Sequence, residues 1–315
     1  MQDLEITRRP DLDSPILLVG FTGWMDGGNV STGTVSYIRD QLGATECAEI
    51  NPLDFYVHHF PISTLPISIS TEAQQSVFAS ISPMEFAAVF RPHVDIEDGV
   101  IKEIVYEENT FWASKEHDIL LFSGEEPHVR WGSYMDCIFE IAQQFNVSGI
   151  YFIGSVAGAI PHTREPRVRA TVATEALKKD LQGVANVEFG DYAGPSGLVT
   201  SLADEAAQRG VNMWSLVVEI PHYPFLEMPT YPKSMLNICL ALNALLDIEI
   251  SLETLYDASA QVEQQLNETM QENEDFEQLV RKLEQAYDRE RSQSDEDLLK
   301  RLIDDIDLEQ DEGGH

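Results

Sequence analysis

Four unbroken apolar runs, each ending in a loop rich in glycine, proline, histidine or acid, constrain this chain most. Ile16-Leu17-Leu18-Val19-Gly20 leads into Phe21-Thr22-Gly23-Trp24-Met25-Asp26-Gly27-Gly28, and Ile119-Leu120-Leu121-Phe122 into Ser123-Gly124-Glu125-Glu126-Pro127-His128. Ile150-Tyr151-Phe152-Ile153-Gly154 passes through Ser155 to Ile160 into Pro161-His162-Thr163-Arg164, and Ser215-Leu216-Val217-Val218-Glu219 into Ile220-Pro221-His222-Tyr223-Pro224. Continuous apolar runs suit strands covered on both faces, as in a largely parallel sheet. Open α/β sheets bind ligands beyond the carboxyl ends of their strands, so these loops mark the candidate site.

A chain of 315 residues can bury a large core, with a soft expectation of about two domains. Its formal net charge of −34 disfavours nucleic acid and anionic membrane as general partners, because both repel it at long range. The acidic start, Met1-Gln2-Asp3-Leu4-Glu5, shows no apolar core of a signal peptide, and no apolar run approaches a membrane span. Cys47, Cys137 and Cys239 are odd in number and far apart, so they read as buried reduced thiols rather than a disulfide framework or zinc motif. A cytoplasmic location is expected.

Helical and strand patterns alternate up to about Asp247. Gly27-Gly28-Asn29 precedes a helix over Val30 to Leu42 that Gly43 ends. Thr45 to Ile50 reads as a strand, and Asn51 to Ser82 is ambiguous. Asp98-Gly99 between Val94-Asp95-Ile96 and Val100 to Val105 marks a hairpin. Further helices are expected over Tyr134 to Phe145, Thr174 to Leu181, Gly197 to Arg209 and Met235 to Leu246. After Asp247 the composition shifts: residues 251–315 hold 20 acidic and 6 basic residues. Apolar stripes at Leu252, Leu255, Val262 and Leu266, at Phe276, Leu279, Val280, Leu283 and Tyr287, and at Leu298, Leu299, Leu302 and Ile303 mark three amphipathic helices. The expected division is an α/β domain over 1–247 and an acidic helical extension over 248–315, with a disordered tail.

Each loop carries a chemical and a structural reading. In Gly23-Trp24-Met25-Asp26-Gly27-Gly28, backbone amides could approach an anion, or Asp26 could cap the following helix. The spacing matches neither a P-loop nor the dinucleotide fingerprint. Glu126, in Glu125-Glu126-Pro127-His128-Val129-Arg130-Trp131, is a candidate acid or base, or a cap for the helix after Pro127, or an arginine's partner. His162, Thr163 and Arg164 could hold a carboxylate or phosphate through charge-assisted bonds, whereas Arg167 and Arg169 read as partners of nearby acids. His162 and His222 could shuttle a proton, but no third ligand is spaced with them, so no metal site is expected. Ser196, in Gly194-Pro195-Ser196-Gly197, lacks the nucleophile-elbow pattern and reads as a helix cap. No cofactor is expected, since no nucleotide or magnesium motif is visible.

Six of these motifs in order resemble the proteasome assembly chaperone 2 family in its bacterial branch: Gly23-Trp24 with Asp26 and Gly28; Phe90-Arg91-Pro92; Gly124-Glu125-Glu126-Pro127 with Arg130-Trp131; Pro161-His162-Thr163-Arg164; Gly194-Pro195-Ser196-Gly197; and Pro221-His222-Tyr223. The resemblance covers roughly Pro15 to Tyr287. It implies a three-layer αβα fold similar to nucleoside phosphorylases, with a C-terminal helical extension, and a tendency to oligomerise. Some relatives assist proteasome assembly; some bacterial ones have been labelled ATP-grasp enzymes. Docking relatives can end in a hydrophobic residue, Tyr and one more residue. This chain ends Gly313-Gly314-His315, so docking on a proteasome ring through that terminus is not expected.

Two functions follow. One is a non-catalytic assembly or protein-binding protein, a homo-oligomer with a possible protein partner, and it is favoured for the biological role. The other is an enzyme or binder of a small anionic, nucleoside- or phosphate-like ligand, in a pocket of Trp24, Asp26, Gly27, Gly28, Glu126, Arg130, His162, Thr163, Arg164, Ser196, His222 and Tyr223. Whether any reaction is catalysed stays open at this point.

Overall fold

A computed structural model describes residues 3–59, 90–223, 230–246 and 248–291. The expected helix around Leu298 to Ile303, the terminal residues and most of the ambiguous stretch after Asn51 lie outside these residues.

Four strands form the centre of the sheet: β2 (Ile16–Thr22), β7 (Ile119–Glu125), β8 (Gly149–Gly158) and β11 (Met213–Pro221). They lie side by side in the order β7-β2-β8-β11, all parallel, and correspond to the four apolar runs. Their side chains alternate between two apolar layers. Leu18, Leu121, Ile153 and Leu216 face one layer; Leu17, Val19, Leu120 and Phe152 face the other. Burial on both faces is why the runs are unbroken.

Antiparallel strands extend both edges. Beyond β7 lie β6 (Thr110–Ser114), β3 (Thr45–Ile50) and β1 (Leu4–Ile6). Beyond β11 lies β9 (Val168–Val172), antiparallel to it, and then β10 (Val187–Phe189), parallel to β9. The sheet is thus mixed. Strands β1, β6, β9 and β10 are too short or too polar to stand out in the sequence, and a tertiary neighbour decides their state. Thr174 to Leu181, expected as an α-helix, is a 3-10 helix over Glu175–Leu181, with Leu177 and Leu181 buried.

Helices cover both faces. Against the Leu18 face pack α1 (Val30–Gln41), α4 (Pro232–Leu246), α5 (Glu253–Glu272) and α6 (residues 274–291); against the other pack α2 (Trp131–Gln144) and α3 (Leu198–Arg209). Gly20 lets α1 sit close to β2, since a Cβ there would meet the Ser31 carbonyl oxygen at 2.9 Å. The first two apolar stripes expected after Ser251 fold back onto the α/β layers. Leu255, Leu266, Phe276, Val280 and Tyr287 are buried there, each stabilising by about 1.5–3 kcal/mol.

The hairpin of β4 (His93–Glu97) and β5 (Val100–Val105) forms a separate two-stranded sheet. Asp98 and Gly99 both take positive φ, as the expected two-residue turn requires.

Candidate functional site

The loops at the strand ends carry two bonded groups of the candidate residues. The first surrounds the turn after β2. Asp26 Oδ1 accepts the backbone N–H groups of Ser31 (2.7 Å) and Thr32 (3.2 Å), and Oδ2 accepts the Thr32 hydroxyl at 2.7 Å. It therefore caps α1 from four residues upstream, over Gly27, Gly28 and Asn29. Burial raises its pKa, opposed by those hydrogen bonds. Gly28 and Asn29 are left-handed, and the Gly28 carbonyl accepts Tyr231 N–H at 3.2 Å.

Glu126 bridges two loops. One carboxylate oxygen accepts Leu198 N–H at 2.8 Å, and the other lies 3.4 Å from Trp24 N–H. It thus caps α3, not the helix after Pro127. Ser196, expected as that cap, instead points its hydroxyl at the Gly197 carbonyl, 3.2 Å away. The helix after Pro127 starts at a left-handed Arg130, whose guanidinium pairs with Asp3 (3.1 Å) and Asp54 (3.0 Å) and lies 5.1 Å over the Phe55 ring.

The second group sits after β8 and β11. His162 is fully buried. Its backbone N–H donates to the Tyr223 hydroxyl at 2.8 Å, and that hydroxyl lies 2.7 Å from Nδ1. A hydroxyl that accepts the N–H has its own proton for Nδ1, so Nε2 carries the ring proton and donates to Asn267 Oδ1 on α5 at 3.3 Å. Burial lowers the His162 pKa, so the ring is held neutral. The ring also stacks 6.0 Å from Phe276 of α6, and the Tyr223 ring meets Phe276 edge-on at 4.8 Å.

The neighbouring residues hold the same helices. Thr163 donates to Glu284 at 2.6 Å; Arg164 grips Asp288 with two bonds of 2.9 and 2.8 Å and reaches Glu284 at 3.2 Å. The paired acids push the Arg164 pKa upward. Arg167 joins Glu219 (3.1 Å) to Glu290 (2.7 Å) and lies 4.9 Å over the Tyr287 ring; Arg169 also meets Glu219, at 3.3 Å. Buried Lys233 at the start of α4 donates to the His162 carbonyl at 3.0 Å and pairs with Glu263 of α5 at 3.2 Å. His222, by contrast, is exposed.

Sequence reasoning missed Lys233, Asn267 and Glu219 as members of this cluster. A lysine directly after Pro232 at a helix start, in an otherwise uncharged helix, was the available signal. Val168 to Val172 being a strand also went unread, and it carries Arg169 out of the loop proper, leaving Arg167 at its junction with the loop.

A cleft of about 600 Å³ opens on the α3 side, where the sheet runs on past the last helix of that face. Its floor includes Ser215 and Val217 of β11 with Arg169 and Thr171 of β9; Trp24 and Tyr192, 67% and 75% exposed, stand at its walls. Elsewhere burial pushes the thiols of Cys47, Cys137 and Cys239 up to about 12, as inert core cysteines. Among the described residues no three His, Cys, Asp or Glu side chains gather as they would around a metal ion, and no helix is long and apolar enough to cross a membrane.

The fold of this chain is shared by several solved structures. A Mycobacterium tuberculosis protein of unknown function superposes with a TM-score of 0.73 at 19% identity, over 94% of this chain and 92% of that one. A Corynebacterium glutamicum protein of unknown function gives 0.71 at 20% identity, over 91% and 97%. The M. tuberculosis proteasome-assembly chaperone homologue gives 0.66 at 20% identity, over 84% and 99%. The profile of the PAC2 family matches residues 20–270, and the chain belongs to that family. No curated protein matches the chain significantly.

Proposed function

We propose that this protein is a non-catalytic, assembly-chaperone-like binder of other proteins that also associates with itself. One observation carries the reading: the strand-end groups most suited to acid–base work bond to the protein's own helix termini and C-terminal helices. Asp26 and Glu126 cap helices, and His162 faces Tyr223, Asn267 and Phe276. A general base must reach a substrate proton within hydrogen-bond distance. The likeness to a proteasome-assembly chaperone homologue supports the same direction. The first candidate partners are therefore proteasome subunits.

The test is native mass spectrometry of the chain mixed with recombinant α- and β-type proteasome subunits. Complexes of the chain with unassembled subunits, and faster ring formation in its presence, are expected. No complex and no change in rate would refute the proteasome role. A second reading, a small-ligand binder, draws on the 600 Å³ cleft, whose size suits a small-molecule site. Its cation, Arg169, already pairs with Glu219, which argues against an anion as the ligand. Calorimetric titration with inorganic phosphate checks this: no binding is expected, and micromolar binding lost in Arg169→Ala would favour the second reading.

A further inference from the structure

The β4–β5 hairpin presents an apolar face to solvent. Register pairs Val94 with Ile104 and, past a bulge that skips Lys102, Ile96 with Ile101, so these four side chains share one face. They are 45, 45, 56 and 60% exposed, in that order. The opposite face carries exposed Val100 and Val105 and puts Asp95 directly across from Glu103, an arrangement of like charges that destabilises an isolated hairpin. Among the described residues the two strands pair only with each other. A two-stranded ribbon is marginal alone, and a contiguous exposed apolar face marks an interaction surface.

The charges around this face select its partner. The hairpin, residues 93–105, holds four acids, Asp95, Glu97, Asp98 and Glu103, against one lysine, Lys102, which pairs with Glu97 at 3.8 Å. A second copy of this chain would bring the same acids to the same place. We propose that the hairpin is a docking arm for another protein, whose surface offers an apolar strip rimmed by lysine and arginine. The strip would cover Val94, Ile96, Ile101 and Ile104, and lysine and arginine side chains reaching past the ribbon's edges would answer Asp98 at the turn and Asp95 and Glu103 on its reverse face. This deepens the protein-binding reading and rests on it.

Fluorescence anisotropy of the full chain with two labelled strand peptides tests the proposal. One peptide alternates isoleucine with lysine, and the other isoleucine with glutamate. Binding of the lysine peptide is expected, weakened about tenfold between 50 and 300 mM salt, with no binding of the glutamate peptide. Ile96→Asp/Ile104→Asp should weaken the lysine peptide at least tenfold. Those substitutions add negative charge, so unspecific attraction to lysine would rise instead. Ile96→Thr/Ile104→Thr, which keeps strand propensity, should give the same loss if the aspartate variant fails to fold.

Undiminished binding by both variants, or equal binding of both peptides, overturns the proposal. So does a drop in sedimentation mass on substitution, which would assign the face to a second copy. So does strong amide protection across 93–105 in the unliganded monomer, which would assign it to the chain's own cover. Failure here while proteasome subunits are still captured sinks the arm alone; failure of both sinks the protein-binding reading as well.

Discussion

Phe276→Ala is the sharpest probe of how the C-terminal helices are held. The Phe276 ring is fully buried between His162 and Tyr223, with centroids 6.0 and 4.8 Å away. Removing a buried phenylalanine ring costs about 3–5 kcal/mol. The polar ties beside it are weaker. Arg164–Asp288 and Arg164–Glu284 involve partners 54% and 27% exposed, and such pairs contribute about 0–1 kcal/mol. The aromatic anchor therefore outweighs the ion pairs by several-fold. Urea denaturation followed by circular dichroism should give a loss of about 4 kcal/mol for Phe276→Ala and under 1 kcal/mol for Arg164→Ala. If α6 releases before the sheet melts, an early transition carries the whole loss. A cost below 1 kcal/mol for Phe276→Ala, or a larger one for Arg164→Ala, would refute the anchoring argument.

Two further outcomes follow from buried polar groups. Asp26→Ala should lose about 1 kcal/mol of stability by uncapping α1, whereas Asp26→Asn, which keeps the accepting oxygen and removes a charge disfavoured by burial, should change it little; thermal melting of the pair compares them, and equal losses would contradict the capping role. The second concerns pH: His162 has a folded pKa below its ordinary 6.5, lowered chiefly by burial and further by Lys233, with the Asn267 hydrogen bond, Glu263 and Glu284 partly opposing the shift. Between the folded value and 6.5 the unfolded chain binds more protons, so this residue's contribution is fully present above 6.5 and falls away as pH drops below it. His162→Gln should flatten that slope in denaturation curves taken from pH 7.5 to 5, and an unchanged slope would remove His162 as its source.

The centre of the fold was legible because burial on both faces leaves its mark in composition alone. The four apolar runs became the four parallel strands, and Asp98-Gly99 became the hairpin turn. Outer strands such as Val168–Val172 were not legible, since alternating Arg169 and Thr171 with Val168 and Ala170 makes sense only beside β11. The loops were located correctly as sequence segments, but what each side chain bonds was not readable. Glu126 caps a helix 72 residues away, and Arg164 meets an acid 124 residues away. No local pattern encodes such distances. His162 and Arg164 carry the residue types of an anion site, and their partners Asn267, Glu284 and Asp288 lie in helices whose amphipathic pattern announced only that they needed something to cover.

Amide hydrogen exchange on His162→Ala tests most directly the claim that the strand-end cluster exists to hold the helical extension. In the unmutated protein α5 and α6 should be protected together with α4. In the variant, exchange should quicken across residues 253–291 while β2, β7 and β8 keep their protection. Helices that already exchange freely before substitution, or that keep full protection after it, would contradict the account.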